Sequence, residues 1–205
     1  MSTRALFRMA AVALAVSGLF LTVGLILHPV RPFSDRIATP GWTIAHLFWW
    51  IGGLAGIVGL TGLYLRQREA VGVLGFAGAC LAVIGLGLVA SAMYFEALIA
   101  PGLAARAPAL FEGFPTGGEW EGFLGGVLAS GALFGVGFLL FGVAMLRARS
   151  MPRGAIILAV AGGVPFAVNF LVPRPLAVLA VIALATGLLW LGSTLWTSVD
   201  VLDDA

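Results

Sequence analysis

Six stretches of the chain run for roughly 20 residues each, the length at which a helix crosses a bilayer. They are Ala5 to Leu27, Thr43 to Leu65, Val71 to Phe95, Gly122 to Leu146, Gly154 to Val172 and Leu176 to Trp196, and only the first contains a charged side chain, Arg8. Backbone N–H and C=O groups in hydrocarbon must be satisfied within the protein, which restricts spanning structures to helices and closed barrels. The alternation of apolar and polar residues that marks a barrel strand is missing. The expected fold is an all-α integral membrane bundle of six transmembrane helices, forming one domain over residues 1–205. Composition agrees: 61% of the residues are hydrophobic and 10% charged, whereas a soluble domain carries about 25% charge.

The N-terminal stretch begins like a signal peptide, but its apolar run from Met9 to Leu27 is longer than a typical signal core and no small-x-small cleavage site follows. It reads as a retained span. The chain has eleven basic residues, all arginine, against nine carboxylates. If the N-terminus is cytoplasmic, Arg4, Arg8, Arg66, Arg68, Arg147, Arg149 and Arg153 fall inside, while Arg31, Arg36, Arg106 and Arg174 fall outside. That bias favours cytoplasmic termini, with RQRE and RARSMPR as the tight inner turns. Trp42 and Trp120 are then expected as aromatic anchors at the outer interface and Trp196 at the inner one. The expected location is a bacterial cytoplasmic membrane.

Several chemistries lack a basis. Without a clustered basic face there is no case for nucleic acid. The single cysteine, Cys80, excludes an intrachain disulfide, and the absence of lysine excludes a retinal Schiff base. P-loop, dinucleotide and serine-hydrolase signatures are missing as well.

Polar residues gather at one face under this topology. His28 ends the first span, His46 begins the second, Tyr94 and Glu96 end the third, Glu119 and Glu121 begin the fourth, and Asn169 lies near the outer end of the fifth. His46 stands one turn inside its helix, with Trp49 and Trp50 three and four residues on. Ionisable groups at membrane depth face the bundle interior or a wet cavity and find partners there. Two imidazoles with carboxylates suit a divalent ion such as Zn, Mn or Fe. The expected ligands are His28, His46, Glu96 and Glu121, with Tyr94 hydrogen-bonded to one of them and Trp49, Trp50, Glu119 and Asn169 around the pocket. Haem b is the alternative cofactor, with Arg31 or Arg36 near its propionates. Each residue also has a plain structural use: His46 bonded to a carbonyl or carboxylate, Glu119 and Glu121 solvated at a helix start, the tryptophans in core or lipid, and Asn169 bridging helices.

Other readings of the same face are an outward small-molecule binding or transport module and an accessory subunit of a membrane complex. Six short helices, Ala11 with Ala15 on the first, and an outward site are similar in architecture to the substrate-binding S-components of energy-coupling-factor vitamin transporters, a likeness that implies capture of a small organic ligand. Glycine supplies 29 residues. Gly52 with Gly56 and Gly131 with Gly135 have the spacing that lets helices approach closely, within the chain or across a homo-oligomer. The segments 28–42 and 97–118 are expected to roof the pocket.

Overall fold

The computed structural model describes residues 2–30, 35–115, 117 and 120–198. Among these every regular element is helical: α1 (Thr3–Leu27), α2 (Pro40–Leu98), α3 (Ala100–Arg106), a 3-10 turn (Pro108–Phe111), α4 (Glu121–Ala148), α5 (Arg153–Phe166) and α6 (Arg174–Ser198). Four helical segments are long and apolar enough to cross a membrane: α1, α2 continued by α3, α4 and α6. This is the signature of a membrane protein.

The elements do not divide as six separate spans. The expected second and third spans lie within α2, and the helix of the fifth stops at Phe166. The break in α2 is not in RQRE, which stays helical, but at Gly72, with φ 58° and ψ −158°. Only glycine holds that conformation cheaply, and the space around it is open, so the requirement for glycine there is conformational. At α5, Pro165 lies in the last turn and removes a backbone donor.

The two halves of α2 fold back on each other. Gly53 faces Ala90, Gly56 faces Leu86, and the rings of Tyr64 and Phe76 meet close to the turn. Neighbouring helices then pair through glycine. Residues 52, 56, 59 and 62 lie against Leu21, Ser17, Leu14 and Ala10 of α1, and a methyl on Gly59 would sit 2.9 Å from the Leu14 nitrogen. Gly78, Gly85 and Gly137 close the second half of α2 onto α4, while Gly162 and Gly187 close α5 onto α6. At each of these an added Cβ would collide with the partner backbone. Gly52 and Gly56, with Gly131 and Gly135 against Ala167, are thus occupied by packing inside one chain.

These antiparallel pairings place the end of α1, both termini of α2, the start of α4, the end of α5 and the start of α6 together. This is the site end of the bundle. The opposite end carries Gly72, the α4–α5 turn and the arginines at 66, 68, 147, 149 and 153. A second hydrophobic cluster roofs the site end: Ile37, Trp42, Ala100, Ala104, Phe111 and Phe114, with Phe95, Trp120 and Phe123 packed against them. Residues 97–115 therefore form a folded cap, tied down in part by Trp120 Nε1, which donates to the Leu110 carbonyl at 2.7 Å. Trp42, expected as an interfacial anchor, is 1% exposed and central to this cluster. Trp196 is 40% exposed, with the Arg8 guanidinium 4.9 Å over its ring.

Candidate functional site

His46 and Glu96 come from the two ends of α2 and meet because the break at Gly72 returns the chain on itself. His46 Nε2 lies 3.0 Å from Glu96 Oε2, and both residues are buried, at 1% and 7% exposure. The other ring nitrogen, Nδ1, is 2.8 Å from the Trp42 carbonyl one turn earlier in the helix. A carbonyl oxygen only accepts, so Nδ1 carries a proton. One further proton must lie between Nε2 and Oε2, held either by the carboxyl group, which then donates, or by the imidazole. The couple is electrically neutral in both forms. They differ by the transfer of a single proton across a hydrogen bond, and taking that proton away would leave a carboxylate facing a nitrogen lone pair.

Trp42 holds both partners. Its indole Nε1 donates to the Glu96 backbone carbonyl at 3.0 Å, its own carbonyl accepts from His46, and its ring stacks on the imidazole with centroids 4.4 Å apart. His28, the cap residue just past α1, completes an aromatic box: its ring stacks on Trp49 at 4.8 Å and meets His46 edge-on at 5.0 Å. Burial first, and then the nearby His46 and Arg174, push the His28 imidazole down to about 3, so it is neutral at physiological pH. Trp49 is fixed by its indole N–H, which donates to the Leu21 carbonyl at 3.1 Å.

These side chains border a cavity of about 640 Å³ at the site end, within the range of small-molecule sites. Its deep wall is apolar, formed by Leu21, Leu86, Val89, Phe134 and Phe166 among others, and its polar groups are His28, His46, Glu96, Asn169 and Arg174, with the Trp42 indole. Phe114 of the cap also lines it. A separate pocket of about 10 Å³ lies beside Ser17 and Phe138, room for at most one water.

The expected residues separate into those that converge and those that do not. His28, His46, Glu96, Trp49 and Asn169 line the cavity. Tyr94 does not: it is 42% exposed and its ring meets Trp50 on the outside of the bundle. A helical residue at i+4 from His46 therefore points elsewhere, while the one at i+3 joins the site. Glu121 is exposed at the first residue of α4, where a negative charge suits the helix dipole, and it cannot complete a ligand set with His46. Among the described residues no three of His, Cys, Asp and Glu are grouped to hold a metal ion. Asn169 follows the end of α5 and donates to the Phe166 carbonyl at 2.9 Å, capping its own chain instead of bridging helices. Arg36 is exposed and does not line the cavity. Arg31 and Glu119 lie outside the described residues.

Two site residues escaped sequence reasoning. Trp42 had a usable signal, since it precedes His46 by four residues and so shares its helix face. Arg174 had none. Its Nη2 donates to the Leu25 and Ile26 carbonyls at 3.0 and 3.2 Å, satisfying the last turn of a helix about 150 residues away in sequence.

No protein-family model, curated protein or solved structure matches the chain, so the architectural likeness to vitamin-binding S-components gains no support there.

Proposed function

We propose that the protein is a membrane binding module that takes a small, largely apolar organic molecule into the site-end cavity and holds its polar end among the polar groups of the wall, Arg174, His28, His46 and Glu96. The observation that carries this reading is a single one: a hollow of about 640 Å³ whose only buried ionisable pair, among the described residues, stands in its wall. Such pockets, apolar with a few convergent polar groups, are the usual form of small-molecule sites. In this reading α2 supplies two crossings and α5 a short one, giving six in all. The arginine-rich end and both termini then face the cytoplasm, and the cavity opens to the outer side of a bacterial cytoplasmic membrane.

The same site can do one further thing: move a proton between a carboxyl group and an imidazole without changing net charge. Capture and transport of a ligand share the binding step, so the same test serves both roles. A divalent ion or haem b is served less well, because both ring nitrogens of His46 are already engaged and Glu121 faces away.

The test is binding of a brominated long-chain alcohol by detergent-purified protein, read as quenching of tryptophan fluorescence. Saturable quenching at one molecule per chain, abolished when Leu128→Trp fills the cavity wall, is the expected result. Quenching that is non-saturable, or indifferent to Leu128→Trp, overturns the reading. A stoichiometric metal or a Soret band that disappears in His46→Ala would replace it with the cofactor role.

A further inference from the structure

The polar groups of the cavity are not scattered over its wall. Glu96, His46, His28 and Arg174 succeed one another along an arc of the wall: Glu96 bonded to His46, His46 edge-on to His28, and Arg174 close enough to act on the His28 ring, with its guanidinium on the Leu25 and Ile26 carbonyls of α1. Beyond the arc, toward the bundle centre, Leu21, Leu86 and Phe134 present only hydrocarbon. The chamber therefore has an amphipathic axis, polar at one level and apolar below it.

The charge on this arc can be counted. The His46–Glu96 couple sums to zero whichever partner holds the shared proton, and the neutral His28 adds nothing. Arg174 remains positive under all accessible conditions. Among the described residues no carboxylate other than Glu96 lines the cavity, and the Arg174 Nη2 bonds go to carbonyl oxygens, which orient the guanidinium without neutralising it. A partly buried cation at the edge of an apolar chamber favours an anion there, because charge-assisted hydrogen bonds gain strength away from water.

We infer that the occupant of the cavity is an anionic single-chain amphiphile, such as a long-chain carboxylic acid, with its carboxylate at Arg174 and its chain directed past His46 toward Phe134. The other members of the arc are already engaged, the His28 ring with the Pro29 backbone and both His46 nitrogens with the Trp42 carbonyl and Glu96, so Arg174 is the donor and the cation that the carboxylate meets, while the chain meets hydrocarbon. This inference rests on the binding reading above and adds the sign of the headgroup charge.

The experiment compares brominated stearate with its methyl ester and with the corresponding alcohol, in micelles of an uncharged detergent, by the same fluorescence quenching. Stearate is expected to bind at least about tenfold more tightly than the ester, the effect of one hydrogen-bonded charge. Arg174→Gln should erase the preference for acid over ester, and Arg174→Lys should retain most of it. If Arg174→Gln unfolds for want of the α1 cap, the Lys variant and the ligand series on the native protein still decide. Equal affinity for acid, ester and alcohol overturns the inference and leaves the binding reading standing. No saturable binding of any of the three overturns both. Displacement of stearate by phosphatidylglycerol but not by phosphatidylcholine would show that an acidic bilayer lipid shares the site; displacement by both equally would count against recognition of charge.

Discussion

The two ends of the bundle each bury a polar side chain, and they resolve it differently. At the arginine-rich end Gln67 is 4% exposed; its Nε2 donates to the Leu63 carbonyl at 3.2 Å and lies 3.3 Å from the Met145 sulfur, and its Oε1 accepts from the Ser150 hydroxyl. Both ends of the Gln67 amide are bonded by the chain, neither cavity described above is lined by it, and the contact ties α2 to the turn after α4. At the site end His46 and Glu96 are as deeply buried and as well satisfied, yet they stand in the wall of a large cavity. Buried polarity by itself thus marks a structural tie as readily as a site. What distinguishes the two is the adjoining space, together with a proton that can move.

The largest separation between the ends should come from unpairing. His46→Leu leaves Glu96 buried without a partner and is expected to cost about 3–5 kcal/mol of stability, whereas the double variant His46→Leu, Glu96→Leu should recover most of it. Thermal unfolding in detergent measures both, and a double variant no better than the single one would mean that the couple itself is required for folding. Next in size is the turn that creates the site: Gly72→Ala forces a side chain into a conformation that costs on the order of 1–3 kcal/mol, and should lower the melting temperature although the new methyl touches nothing. Gln67→Leu should cost about 1 kcal/mol for the lost hydrogen bonds, with ligand quenching unaltered. A change in binding there would couple the ends and break the contrast.

His28 gives a pH-dependent difference. Its native value of about 3 lies below the unfolded value of 6.5, so between those limits the unfolded chain binds more protons, and stability falls as pH drops from about 6.5 toward 3. The slope from this one group is at most about 1.4 kcal/mol per pH unit. Melting curves of the native protein and His28→Phe should diverge on acidification, and parallel curves would show that the ring is more open to water than its surroundings suggest. The smallest effects belong to the residues that face outward: Glu121→Gln and Arg36→Ala should each stay within about 0.5 kcal/mol of the native protein and leave quenching intact.

Much of this end of the molecule was legible in the chain. His46 and Glu96 were marked by being ionisable inside apolar surroundings, and the cost of an unpaired charge there made a partner necessary. Tyr94 carried the same kind of mark and does not join the site, since an amphipathic ring lies comfortably at an exposed position against Trp50. Glu121 carried it too, but at the first residue of a helix a carboxylate is satisfied by water and the helix dipole. Trp42 looked like an anchor because tryptophan favours interfaces; the cap over it, built from Ile37, Phe111 and Phe114, turned an end of the bundle into an interior.

The sequence alone determined that the chain belongs in a membrane, which segments are apolar enough to be buried or to meet lipid, and which ionisable groups must find partners, because these follow from transfer energies that act residue by residue. Only the tertiary structure decided that one glycine at 72 reverses the chain, that Glu96 is the partner His46 finds, and that Arg174 reaches the end of α1. Those outcomes depend on which helix faces meet and how closely glycine lets them approach, and such distances exist only between residues remote in the chain.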